Sequence, residues 1–104
     1  MTEWPREVFI DINPNIRIRY GRSERIPIRY AISLEMRVEG NWTTIRLWDN
    51  AHEANEHHEH EYTRSKGKGD PAVHPFRLIN EAMASAMTRA QQDWQAIRDR
   101  WAAQ

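Results

Sequence analysis

The stretch IRYAISLEMRVEGNWTTIRLW, Ile28 to Trp48, decides the fold. Ile28, Tyr30, Ile32, Leu34, Met36 and Val38 fall on alternate positions, with Arg29, Glu35 and Arg37 between them. A period of two is that of a strand with one buried face. Gly40-Asn41 is a hairpin turn signal. Trp42 to Trp48 returns as a second strand. By alternation Ile45 and Leu47 share one face, and Thr44, Arg46 and Trp48 share the other.

The same period extends outward. Upstream, Val8 to Ile12 is a β-branched and aromatic run closed by Asn13-Pro14-Asn15, and Ile16 to Tyr20 alternates apolar and charged residues. Gly21 to Arg25 reads as a turn. Downstream, Asp49 to Glu56 reads as a loop and His57 to Arg64 as one more short strand. Ser65 to Pro71 holds three breakers and reads as a flexible linker.

Beyond the linker the period changes to that of a helix. Leu78, Ala82, Ala86, Ala90, Trp94, Ile97 and Trp101 recur at steps of three and four, and Ile79, Met83 and Met87 widen the stripe. Pro75 suits its start. A helix with one apolar stripe needs a surface to cover. The expected fold is therefore α+β: an antiparallel meander of three to five strands with a long C-terminal amphipathic helix packed on one face. All 104 residues fit one domain, with strands over 8–64, a linker over 65–75 and the helix over 76–103.

Composition excludes several function classes. There is no Cys, hence no disulfide framework, thiolate nucleophile or zinc–thiolate site. No apolar run is long enough to span a membrane. Met1 to Arg6 lack the basic start and apolar stretch of a signal peptide, so a cytoplasmic protein is expected. Lys plus Arg and Asp plus Glu are equal at 15 each. That balance argues against a dedicated DNA-binding domain. Locally the charge is uneven. Residues 15–48 carry seven Arg against three Glu, residues 49–62 carry five acids and no Lys or Arg, and residues 63–77 are basic again. Basic flanks of this kind suit a polyanion, and cross-strand ion pairing is the plainer reading.

The acidic block is the informative one. It holds His52, His57, His58 and His60, four His within nine positions. On a strand, His58, His60 and Tyr62 point to one side, and His57, Glu59 and Glu61 to the other. A His-x-His pair supplies two imidazoles to one ion such as Zn²⁺, with His52, Asp49 or a Glu adding further ligands. The same set suits metal-free acid–base chemistry, because imidazole titrates near neutral pH. Spacing does not separate these two. Trp94 and Trp101 fit the core stripe of the helix, whereas Trp48 is placed to line a site beside Asp49.

Leu47-Trp48-Asp49-Asn50-Ala51-His52, followed by His57-His58-Glu59-His60, resembles the TumE-like toxin family of bacterial toxin–antitoxin modules. The resemblance covers roughly residues 28–101. It departs from the family where Ala51 meets His52 without an intervening Pro. It implies a toxin role with an antitoxin protein as partner. It also implies Asp49, Asn50, His52, His58 and His60 as site residues, with His57 secondary.

Two functions are expected from these observations. One is a His-centred enzyme that cleaves RNA. His58 or His60 would be base or acid, His52 its counterpart and Asp49 the orienting carboxylate. Arg46 or Arg64 would sit on phosphate, with Trp48, Tyr62 and Asn50 beside the substrate. Asn50 is expected to hold the loop through its amide rather than to do chemistry. The other is a non-catalytic module that holds a divalent metal or a protein partner through the acidic His-rich loop.

Overall fold

The computed structural model describes residues 7–23, 25–50, 56–75 and 78–104. Among these residues six strands form one antiparallel sheet in chain order: β1 (Glu7–Asn13), β2 (Ile16–Arg22), β3 (Tyr30–Val38), β4 (Asn41–Asp49), β5 (His57–Thr63) and β6 (Gly67–His74). One helix, α1 (Ile79–Ala103), closes the chain and packs against β3, β4 and β5. The α+β meander with its C-terminal helix is thus as the periodicity predicts, with one strand more than expected.

The extra strand is β6. The stretch read as a linker over 65–75 pairs with β5 from Thr63↔Gly67 to His57↔His74. Breakers do not prevent this because β6 is an edge strand, where Pro71 need not donate to a further neighbour. Gly69 is required by close approach. A Cβ there would lie 2.6 Å from the carbonyl oxygen of Glu61.

The β3–β4 hairpin closes one residue earlier than the sequence suggests. Val38 pairs with Asn41, so the two-residue loop is Glu39-Gly40, and both adopt positive φ (51° and 82°). This is the turn geometry whose twist matches antiparallel strands. Asn41 already belongs to β4.

A bulge in β4 revises the faces of that strand. Leu34 pairs with Arg46 and Glu35 with Thr44, which leaves Ile45 as the extra residue. Beyond it Trp48 faces the same side as Ile32, and Arg46 the same side as Leu34. Ile45 and Trp48 therefore both enter the core, although simple alternation sets them on opposite faces. Leu47, Asp49 and their cross-strand partners turn to the side away from the helix.

The core is small and sits between β2–β4 and the helix. Ile16, Ile18, Tyr30, Ile32, Leu34, Ile45 and Trp48 meet Ala82, Ala86, Ala90, Ile97 and Trp101. The three alanines let the helix lie close to the sheet. Trp101 is buried as the stripe predicts, while Trp94 is only partly buried and carries the Arg98 guanidinium 5.1 Å from its ring centroid.

Candidate metal centre

Strand alternation builds two polar clusters on opposite faces of β5. Asp49 pairs directly with His58, and Leu47 with His60. Residues opposite one another in a ladder share a face, so Asp49, His58 and His60 converge on the side away from the helix. One potential ligand atom from each lies within 4.8 Å of the other two. All three residues are buried, at 4%, 8% and 4% exposure. The rings of His58 and His60 meet edge to face, centroids 6.2 Å apart.

Hydrogen bonding fixes how these groups present themselves. His60 Nδ1 lies 3.0 Å from the carbonyl oxygen of Gly69. A carbonyl only accepts, so Nδ1 carries a proton, and in the neutral ring the lone pair is on Nε2. His58 Nε2 lies 3.2 Å from a Glu56 carboxylate oxygen, so its Nε2–H donates. Asp49 Oδ1 and His60 Nε2 are buried with no hydrogen-bond partner among the described residues. A buried carboxylate oxygen and a buried imidazole nitrogen that lack hydrogen bonds each cost free energy unless a cation or proton satisfies them.

This set fits a divalent transition-metal ion. Bond lengths of about 2.0–2.2 Å to imidazole nitrogen and carboxylate oxygen suit Zn²⁺, and imidazole ligands favour Zn, Fe, Ni or Cu over Mg or Ca. Three protein ligands from among the described residues would leave coordination positions for a further ligand, water or substrate.

Tyr62 stands on the same face. Burial raises its hydroxyl above the usual range, the Asp49 charge adds to that rise, and Arg19 opposes it. Its ring thus shares the electrostatic environment of the cluster, as the expected side of β5 requires.

Other expected site residues lie elsewhere. Arg46 and Trp48 are on the helix-covered face, turned away from Asp49. Arg46 ion-pairs with Glu59 and approaches Glu61 at 3.9 Å, which commits its charge within the fold. Trp48 is buried, with Arg89 5.9 Å from its ring centroid. Neither is available to a phosphate or a base, because the β4 ladder register aims both under α1. Asn50 is fully buried and its amide is spent on backbone. It accepts from the Tyr30 N–H at 2.7 Å and donates to the Ile28 carbonyl at 3.0 Å. Through these bonds it holds the end of β4 against the start of β3. Arg64 is exposed in the β5–β6 turn. His52 lies outside the described residues.

The second cluster escaped the sequence reading. Glu59 is buried beneath the helix and receives Arg46, Arg89 at 2.5 Å and His74 at 2.8 Å. Burial alone would raise its carboxyl. The Arg46 and His74 hydrogen bonds and the nearby guanidinium charges outweigh that and hold it below the usual range. Beside it the Tyr30 hydroxyl and His57 Nδ1 hydrogen-bond at 3.0 Å. Burial, and then the neighbouring His58, push the His57 imidazole below its usual range. The only signal in the sequence was the alternation that sets His57, Glu59 and Glu61 on one side.

The chain belongs to DUF7718, a family described as a domain of unknown function, whose model matches residues 2–104. No curated protein and no solved structure matches it. Among the described residues no helix is long and apolar enough to cross a membrane.

Proposed function

We propose that this protein is a divalent-metal protein whose ion is held by Asp49, His58 and His60. The observation that carries this reading is the pair of buried, unbonded atoms, Asp49 Oδ1 and His60 Nε2, within one cluster. A structural site would recruit a fourth protein ligand, and a site that works on a substrate keeps that position open. Calorimetry with Zn²⁺ and Ni²⁺ at pH 7.5 tests it. Submillimolar binding by the wild type, lost in His58→Ala/His60→Ala, supports it. Equal binding by the double variant, or no binding by the wild type, rejects it.

A second reading is the RNA-cleaving toxin. Its support is that three residues singled out by the TumE-like resemblance, Asp49, His58 and His60, share one buried cluster with two imidazoles in edge contact. One imidazole would deprotonate the 2′-hydroxyl and the other would protonate the leaving oxygen. An antitoxin would be the partner. Induced expression of wild type beside His58→Ala, read as growth, tests the toxin role. Incubation of purified protein with total RNA, with and without chelator, separates metal-dependent from metal-free cleavage. Unaffected growth together with intact RNA rejects this reading and leaves the metal module.

A further inference from the structure

The two histidines of the cluster are oriented differently, and the difference points to residues outside the ligand set. His60 gives its Nδ1–H to the Gly69 carbonyl. His58 gives its Nε2–H to the Glu56 carboxylate. Each hydrogen bond removes one ring nitrogen from coordination, and the other nitrogen of each ring is fully buried. This inference rests on the metal reading above. We infer that Glu56 and the Gly69 carbonyl are the positioning groups of the centre, and that they impose a mixed ligand set: His58 through Nδ1, His60 through Nε2, and Asp49 through a carboxylate oxygen.

The backbone supports both assignments. Glu56 immediately precedes β5, two residues before His58, and from there its carboxylate reaches the imidazole at 3.2 Å. A carboxylate on a ligand imidazole raises the basicity of the ring and fixes its plane. Gly69 reaches His60 through an irregularity in the ladder. The β5–β6 register shifts between His60 and Tyr62, and Gly69 lies where a Cβ would strike the Glu61 carbonyl. Glycine therefore lets β6 come close enough to present its carbonyl to the ring. The apparent flexibility of Lys66-Gly67-Lys68-Gly69 thus has a fixed structural use at its last residue.

The Glu59 hub is satisfied by its own cations, and the cavity of about 30 Å³ beside Tyr30, His57, His74 and Arg89 has room only for water. The groove near Trp42 is lined by Arg17 and Arg37, but Asp11 faces them and Arg17 is already paired with Glu35 at 2.7 Å.

Nitrogen-15 NMR of the imidazoles, recorded on metal-free protein at pH 8, reads the tautomers directly. The expected result is Nε2–H for His58 and Nδ1–H for His60. Zn²⁺ titration of Glu56→Ala should then give affinity about 10- to 100-fold below wild type, with unchanged melting temperature in the metal-free state. Glu56→Gln, which keeps an acceptor but not the charge, should recover part of that loss. The absorption spectrum of the Co²⁺-loaded protein should change in Glu56→Ala, a readout that a purely structural role would leave alone. The opposite tautomers, or wild-type affinity in Glu56→Ala, would overturn the assignment. Wild-type protein that binds neither Zn²⁺ nor Co²⁺ would overturn the metal reading, while the tautomers would still decide whether Glu56 and Gly69 orient the rings.

Discussion

Asp49 and His58 face each other directly across the β4–β5 ladder, the last residue of one strand against the second residue of the next. This one register pairing places a carboxylate beside an imidazole on the face of the sheet that the helix leaves uncovered. Two residues further along β5, His60 completes the set.

Metal should stabilise the fold as well as bind it. No such cluster is preformed in an unfolded chain, so binding free energy appears as folding free energy. A free Zn²⁺ concentration of about 100 times Kd should add about 2.7 kcal/mol, read as a rise in melting temperature. Asp49→Asn should reduce that rise. Binding should weaken below about pH 6, because imidazole must be neutral to coordinate. A melting temperature indifferent to Zn²⁺ at pH 7.5 would contradict this.

Asn50→Ala should destabilise the protein by roughly 2–4 kcal/mol. It deletes the acceptor for the Tyr30 N–H and the donor for the Ile28 carbonyl, both at a buried position. Asn50→Asp keeps the acceptor and loses the donor, so it should fall between alanine and wild type or below both if the new charge is uncompensated. Urea denaturation measures the differences.

Removing the buried carboxylate of Glu59 should cost about 3–5 kcal/mol, because Arg46 is left as an uncompensated buried charge. Glu59→Gln tests this by chemical denaturation. A loss under 1 kcal/mol would mean that the Arg46 charge finds another partner, with Glu61 at 3.9 Å the nearest candidate.

Acid should weaken the metal-free protein in two steps. The His57 imidazole is depressed by burial and by His58, so the unfolded chain binds its proton first. Stability is full above the unfolded value of about 6.5 and declines as pH falls through the lower folded value. Glu59 is depressed by its cationic partners, so its contribution is full above the unfolded value of about 4.5 and is lost as pH falls further. Melting temperature against pH, with chelator present, should show both. His57→Phe should remove the upper step.

Trp101→Ala should cost about 3–5 kcal/mol, since its ring closes the core against the C-terminal end of the helix. Trp94→Ala should cost less, because that ring is only partly buried and carries Arg98 over its face. The order of the two, read by denaturation, checks which side of the helix carries the packing.

Period and turn chemistry in the sequence determined the meander, the helix and which side of it is apolar. They also determined that His58 and His60 point together and that His57 and Glu59 point the other way. These are local properties, set by the alternation of Cβ directions along one strand. Tertiary structure decided the rest. Whether 67–74 is a linker or a strand depends on β5 offering a partner edge, which composition does not encode. Whether Arg46 faces a substrate or a buried carboxylate depends on a bulge at Ile45 and on how β4 registers against β5. That Asp49, and not Arg46, meets the histidines follows from the same register. A ladder joins residues far apart in sequence, and shifting it by one position exchanges the two faces.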